Sequence, residues 1–416
     1  MDVEAIDSPE EVQIDQKTQD NYRIWKKNAP FLYDYLTTHP LLWPSLSVQF
    51  FPDLEKLSAL SNETLDPETV AQRLLVGTFT LGKHTDSISI LRLPYYTNLS
   101  RHVNIDRLNY HADKQEFEVT SASSKKISTV QKINHLGDVN RARYMPQNPD
   151  VIASCNNFGS VLVYDRTKHA NVKTALADTD ISPPQLRLVS PTSSHADIFA
   201  IDWNRQQEGT IASGSMDGQM CVYDIQKMQK DNDEVQPVWS TSSESGINDL
   251  EWIPNHDKLF LSASDNGVVQ LYDTRQQNGL AKSSFSHSCA VNSVSICPGQ
   301  TTTFATGDSN GQIDIRDIRM ANSIHHITSH TDSITQIKWH PSHRRVLGSA
   351  SSDKTMRIFD VANDKLLFIH AGHMLGVNDF DWSLHDDWLV ATVGDDNSLH
   401  AWKPVIESDK LAAATN

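Results

Sequence analysis

Along most of the chain, apolar and polar residues alternate in short runs bounded by Gly, Asn, Asp and Ser. This pattern predicts β-strands with one buried face rather than long helices. Such runs end in an aromatic residue or Arg followed by Asp at Tyr164-Asp165, Tyr223-Asp224, Tyr272-Asp273, Arg316-Asp317 and Phe359-Asp360, and a variant closes at Ala401-Trp402. The spacing of successive closings falls from 59 residues (Asp165 to Asp224) to 42 (Asp360 to Trp402). It converges on the roughly 40 to 45 residues of one propeller blade, and the longer early spacings imply loop insertions.

Within each unit the order is a His, a strand, a Ser/Ala/Gly-rich strand, a tight turn and a third strand, with starting His at 135, 195, 287, 330 and 373. Trp203, Trp252, Trp339 and Trp382 share one column of the first strand, filled elsewhere by Tyr144 and Ile296, which reads as a packing column. Counting third strands, including one that ends near Leu93, gives seven, so the expected architecture is all-β, a seven-bladed WD40 β-propeller. Few residues follow Trp402, whereas Phe31 to His39 form a strand-like run just before the first unit. That N-terminal strand is expected to close the last blade and hide sheet edges that would otherwise recruit other chains.

Ahead of it, Ser8-Pro9-Glu10-Glu11 is a capping box, and Ile14, Thr18, Tyr22 and Trp25 follow on one stripe of a helix that Pro30 is expected to end. The division is therefore an N-terminal acidic segment and helix over 1–30, the propeller over 31–404 and a C-terminal tail over 405–416. The segments 113–126, 178–194 and 226–245 are polar and irregular and are assigned to loops.

Composition narrows the function. Lys plus Arg is 36 against 52 Asp plus Glu, a formal charge of −16, which argues against a sequence-specific reader of nucleic acid and favours basic protein partners. The acidic N-terminus is not a secretory signal, and no run is apolar enough for a membrane span. Cys155, Cys221, Cys289 and Cys297 are scattered without a Cys-x-x-Cys, as expected of reduced thiols in an intracellular protein.

Chemistry-bearing patterns are few. Gly77 to His84 nearly matches a phosphate-binding loop but lacks the final Ser or Thr, and β alternation follows where a helix should open. The pairs His195/Asp217, His287/Asp308, His330/Asp353 and His373/Asp395 recur blade after blade. Repetition marks them as structural hydrogen-bond pairs, since a catalytic pair is needed once. No catalytic constellation, metal-ligand set or cofactor is expected.

Aligning the units on the Trp column puts Asn140, Phe199, Asn248, Asn292, Thr335 and Asn378 at the start of the innermost strands, around the mouth of the central channel, with Asp138, Asp197 and Asp332 nearby. The Asn amides could hold an extended peptide or satisfy turn backbone, and the sequence leaves both readings open. Ring closure would also bring Phe31, Leu32 and Leu36 on the closing strand beside Leu366, Leu367, Phe368 and Ile369. These residues could line an apolar groove for an amphipathic helix, or face the sheet core.

Tyr22 to Asn28, Phe31-Leu32-Tyr33-Asp34, Trp43-Pro44-Ser45-Leu46 and Asn140 to Pro149 resemble the histone-binding WD-repeat family that includes the retinoblastoma-binding p46/p48 proteins. Within it, Phe51 to Leu54, Asp165 to His169 and Gly372 to Asp379 are most similar to the fungal small subunits of chromatin assembly factor 1. The resemblance implies a nuclear, non-enzymatic subunit that binds histones H3 and H4 and serves in replication- and repair-coupled nucleosome assembly beside larger subunits. The alternative is an accessory subunit of a type B histone acetyltransferase or a deacetylase complex. It further implies an H4-helix groove at Phe31, Leu32, Leu36, Phe368 and Ile369. On the channel face it implies an H3-tail site at Asp138, Asn140, Arg141, Asp197, Asn248 and Asn292, to which the Trp alignment adds Asn378. Two departures are visible. Only Val361 to Lys365 stands where many members carry a longer acidic Pro-Pro loop, and acids of the channel ring are replaced at Asn248 and Ser333.

Overall fold

The computed structural model describes residues 14–56, 69–96, 110–111, 116–117, 127–171, 180–192, 195–227, 233–276 and 281–405. Among these, the strands form seven blades and one further two-stranded hairpin, Tyr110–His111 with Glu116–Phe117, whose second strand lies against the N-terminal helix. In every blade four strands run antiparallel from the channel outward, the inner three joined mostly by short connections. Blade 7 is built from both ends of the chain. Its three inner strands are Val377–Trp382, Val390–Gly394 and Ser398–Pro404, and its outermost is Tyr33–Pro40 (β1), with Leu36 opposite Trp402 and Thr38 opposite His400. The ring closes as the repeat count predicts.

The innermost strands would leave a row of free N–H groups facing the next blade, and the chain covers them with side chains. Asp202 accepts from the N–H of Trp252, Glu251 from Ile296, Ser295 from Trp339, Asp381 from Phe50 and Gln49 from Tyr144. In the other direction, the indoles of Trp203, Trp252, Trp339 and Trp382 donate to carbonyls of Arg143, Asp202, Ser295 and Lys338 in the preceding blade. The Trp column therefore packs and staples at once. Blades pack so closely that a Cβ at Gly77 would lie 2.4 Å from a Val139 methyl, so the loop resembling a phosphate cradle is a hairpin turn pressed against blade 2.

Helix α1 (Gln16–Leu32) lies on blade 7 and buries Thr18, Trp25, Ala29 and Pro30. Asp15 caps it, its carboxylate accepting from the Thr18 N–H at 2.5 Å. The Ser8–Glu11 capping box lies outside the described residues. Pro30 does not end the helix, contrary to the sequence expectation. Its missing N–H costs one bond near the C-terminus, its ring is buried, and the chain stays helical to Leu32, where the Tyr33 N–H still reaches the Ala29 carbonyl. Phe31 and Leu32 therefore belong to the last turn of α1 and not to the closing strand. The assignment of whole insertions to loops also needs correction. Leu186–Leu188 and Trp239–Ser242 are the fourth strands of blades 2 and 3, and Glu234–Val235 adds a parallel strand outside the former.

Candidate functional site

Two surfaces were expected to act, and the structure treats them differently. At the channel mouth, the Asn column is tied to the neighbouring blade. The amides of Asn140, Asn248, Asn292 and Asn378 donate to the carbonyls of Ile198, Val291, Ile334 and Ser45, at 2.9 to 3.1 Å. The Thr335 hydroxyl makes the same link to Val377. Asp138 is buried and accepts from the N–H groups of Thr80 and Leu81 and from Asn157. Arg141 reaches across the channel from blade 2 to Asp249 of blade 4, with Gln336 of blade 6 at 3.5 Å. Asp197 is the exception. Its carboxylate has no hydrogen-bond or ion-pair partner among the described residues, and burial, then the nearby Asp138 charge, raises its pKa.

Below Arg141 the channel opens into a cavity of about 370 Å³ at the C-terminal ends of the innermost strands, the end away from the Asn ring. Arg143 and Lys338 converge there on Asp379 at 3.1 and 2.9 Å. Burial would raise the Asp379 pKa, but Lys338, Arg143 and the Val48 N–H outweigh it and hold the carboxyl below the usual range. At Glu251 and Asp202 the nearby Arg205 charge does not offset burial. Burial, then the Asp202 charge, pushes Glu251 up to about 8, and burial pushes Asp202 up to about 6. Sequence reasoning missed this layer. Its signal was the acid at alternate positions before the Trp column, in Asp249-Leu250-Glu251-Trp252 and Asp379-Phe380-Asp381-Trp382.

At the seam between α1 and the outer strand of blade 6 (Lys365–His370), apolar side chains stay in solvent: Phe31 is 53% exposed, Leu32 37%, Leu366 40% and Ile369 38%, with Ile24 at 58% further along the helix. Phe368 is half-buried, its ring 5.3 Å from Tyr33 and 5.5 Å from Trp402, so it joins the strand to the end of the helix. Leu36 is buried in the core beneath, with Trp25, Trp382 and Trp402. Of the expected groove residues, then, Phe31, Leu32 and Ile369 present surface, Phe368 partly does, and Leu36 does not. Ile24 was not anticipated, although its i, i+7 spacing from Phe31 places both on one helix face. The short sixth-blade connection is one 3-10 turn, Val361–Asn363, capped by Asp360.

The recurring His/Asp pairs are structural, but only His330 and Asp353 pair as expected, at 2.9 Å. His373 holds Asp396 instead of Asp395, which is bound to Asn378. His287 reaches Asp314 and not Asp308, and His195 is exposed and sits 3.4 Å from the Phe158 carbonyl. Among the described residues, two groups have metal-like proximity, His370/His373/His400 and His340/His343/Asp387. In the first, every ring nitrogen is already in a hydrogen bond. In the second, Nδ1 of His340 accepts two backbone N–H groups, which fixes a proton on the nitrogen that would have to bind a metal.

A family model that describes the histone-binding protein RBBP4 and its counterpart in the CAF1 complex matches residues 20–97, which take in most of α1 and all of β1. A second, described as "Nucleolar protein 10-like, N-terminal domain", matches residues 234–402. Over 413 residues, 93% of this chain and 94% of the relative, the sequence is 34% identical to "Histone-binding protein MSI1" of Saccharomyces cerevisiae.

Proposed function

The chain belongs to the histone-binding WD-repeat family, and on that premise we propose that it is a non-enzymatic subunit of a nuclear chromatin-assembly complex that binds histones H3 and H4. One observation carries the reading. Exposed apolar side chains gather at the seam, and those on its helix side, Ile24, Phe31 and Leu32, lie in the segment that the histone-binding family model matches.

An exposed apolar strip along the end of α1 and the outer strand of blade 6 suits an amphipathic helix, whose anchors enter at i, i+3, i+4 and i+7. Phe31, Leu32 and Ile369 would grip an H4 helix with Phe368 beneath them, while the chain's −16 charge draws basic histones in and raises their association rate. The channel face is the weaker of the two sites, since its amides are engaged and, of the ring residues named above, Asp197 alone offers a free carboxylate for the basic H3 tail. Larger subunits of the complex would hold the propeller by other blades.

The test is a Phe31→Ala/Ile369→Ala variant titrated by calorimetry with a helical H4 peptide. Both side chains are exposed, so the melting temperature should stay put. Affinity should fall at least tenfold, in line with about 2 kcal/mol for a buried anchor. Unchanged affinity would remove the groove assignment. Purification from nuclear extract should bring down large chromatin-assembly subunits, and recovery of an acetyltransferase or deacetylase instead would select the other complexes.

A further inference from the structure

Behind the groove, blade 7 departs from its neighbours in a way that bears on how the groove is held. In blade 6 the third strand carries Arg357, which donates to Thr355 and Asp353 of its own blade. An arginine accepts nothing, so the hydrogen bonding stops there. Blade 7 has His400 at that position, and the bonding continues outward. The indole N–H of Trp25 on α1 meets the Tyr33 hydroxyl at 2.9 Å, and that hydroxyl meets Nδ1 of His370 at 2.8 Å. Nε2 of His370 lies 3.1 Å from Nδ1 of His400, Nε2 of His400 lies 3.2 Å from the Ser398 hydroxyl, and Ser398 donates to Asp396 at 2.6 Å.

The direction of this chain follows from its ends. An indole can only donate and a carboxylate can only accept, so each group between them accepts from the Trp25 side and donates toward Asp396. Both histidines are therefore neutral rings protonated on Nε2. Trp25, Tyr33, His370 and His400 are all at most 7% exposed, so no water can stand in for a lost partner. Asp396 is itself fixed in the tight turn by His373 and the Met374 N–H.

We propose that His370 and His400, which belong to neither the groove lining nor the channel ring, are positioning residues for the groove: their one-way hydrogen-bond chain latches α1 to blade 7 and so sets one of its walls. The binding readout rests on the groove reading above, whereas the latch can be read without any histone.

The latch should yield to acid. Facing the two rings are Trp25 from α1, Tyr33 from β1, Ser398 and Trp402 from the third strand, and His373 and Asp396 from the loop and turn. Asp396 is already engaged by His373. The nearest charges at the far end of α1 are Lys354, bound to Thr18, and Asp15. Burial, then the neighbouring imidazoles, holds His370 well below its usual 6.5, and the same applies to His400. Below pH 6.5 an undocked helix would leave rings that bind more protons than the docked state does. Docking is therefore complete above 6.5 and lost as pH falls.

Hydrogen exchange of the Gln16–Leu32 amides in the full chain tests this. Between pH 7.5 and 5.5, corrected for intrinsic rate, these amides should lose at least tenfold protection while the strands of blades 3 to 5 keep theirs. His370→Phe should give the same loss at pH 7.5, because it keeps the ring that stacks on Trp402 but removes both nitrogens. His370→Gln, which restores an acceptor and a donor without titrating, should recover most of the protection. Exchange that ignores pH, or a Gln variant as loose as the Phe variant, would overturn the latch. If α1 loosens as expected while H4-peptide affinity is unmoved, the latch stands and the groove assignment fails.

Discussion

The channel and the seam are made from the same repeat and end with opposite surfaces. Around the channel, the positions that recur from blade to blade are consumed by the neighbouring blade, Asp197 apart: Asn amides on carbonyls, acids and hydroxyls on N–H groups, Trp indoles on the strand before. At the seam the repeat is broken, because β1 arrives from the other end of the chain and α1 covers blade 7 where no other blade carries a described α-helix. There Phe31, Leu32, Leu366 and Ile369 remain in solvent. Positions that repeat hold the ring together, and positions that break the repeat keep apolar surface in solvent.

The contrast can be broken by experiment, most forcefully inside the channel. Asp379→Ala would leave Arg143 without a carboxylate partner, Lys338 with only the more distant Asp381 at 3.5 Å, and the Val48 N–H uncovered. It should cost about 3–5 kcal/mol in denaturant unfolding, the range for a buried pair that loses one partner. A loss under 1 kcal/mol would mean that this layer does not hold the ring. A smaller, paired comparison sharpens the point at the mouth. Asn292→Ala removes two bonds to the start of blade 6, to the Ser333 hydroxyl and the Ile334 carbonyl, and should cost about 1–2 kcal/mol with little change in basic-peptide affinity, whereas Asp197→Asn should leave the melting temperature unchanged or slightly higher and weaken an H3-tail peptide a few-fold. Because the Asp197 pKa is raised, that peptide should also let go at a higher pH than an exposed Asp would allow as the solution is acidified. The reverse pattern, with Asn292→Ala abolishing peptide binding at no cost in stability, would make the Asn ring a recognition surface.

The ring was legible in the sequence because its period, its Trp column and its closing strand are set by local alternation and spacing. The site was legible only in part. Phe31 and Phe368 could be named as neighbours once closure was assumed, but Leu36 and Leu366 look alike in a strand pattern, and one is buried while the other is exposed. Pro30 looked like a terminator, yet packing against blade 7 carries the helix two residues beyond it. The His373 partner was misread by one residue, since Asp395 and Asp396 share a turn and only the backbone path decides which one faces the ring. The outer strands of blades 2 and 3 were hidden in polar insertions because edge strands bury little and need little apolar sequence.

The central claim is that the seam, and not the channel mouth, is the main docking surface for H3 and H4. A hydrogen-exchange difference map of the full chain with and without an H3–H4 complex tests it directly. The account predicts new protection concentrated in Gln16–Leu32 and Lys365–His370. Protection confined to the starts of the innermost strands, around Asp197, Asn248 and Asn292, with α1 unchanged, would contradict it.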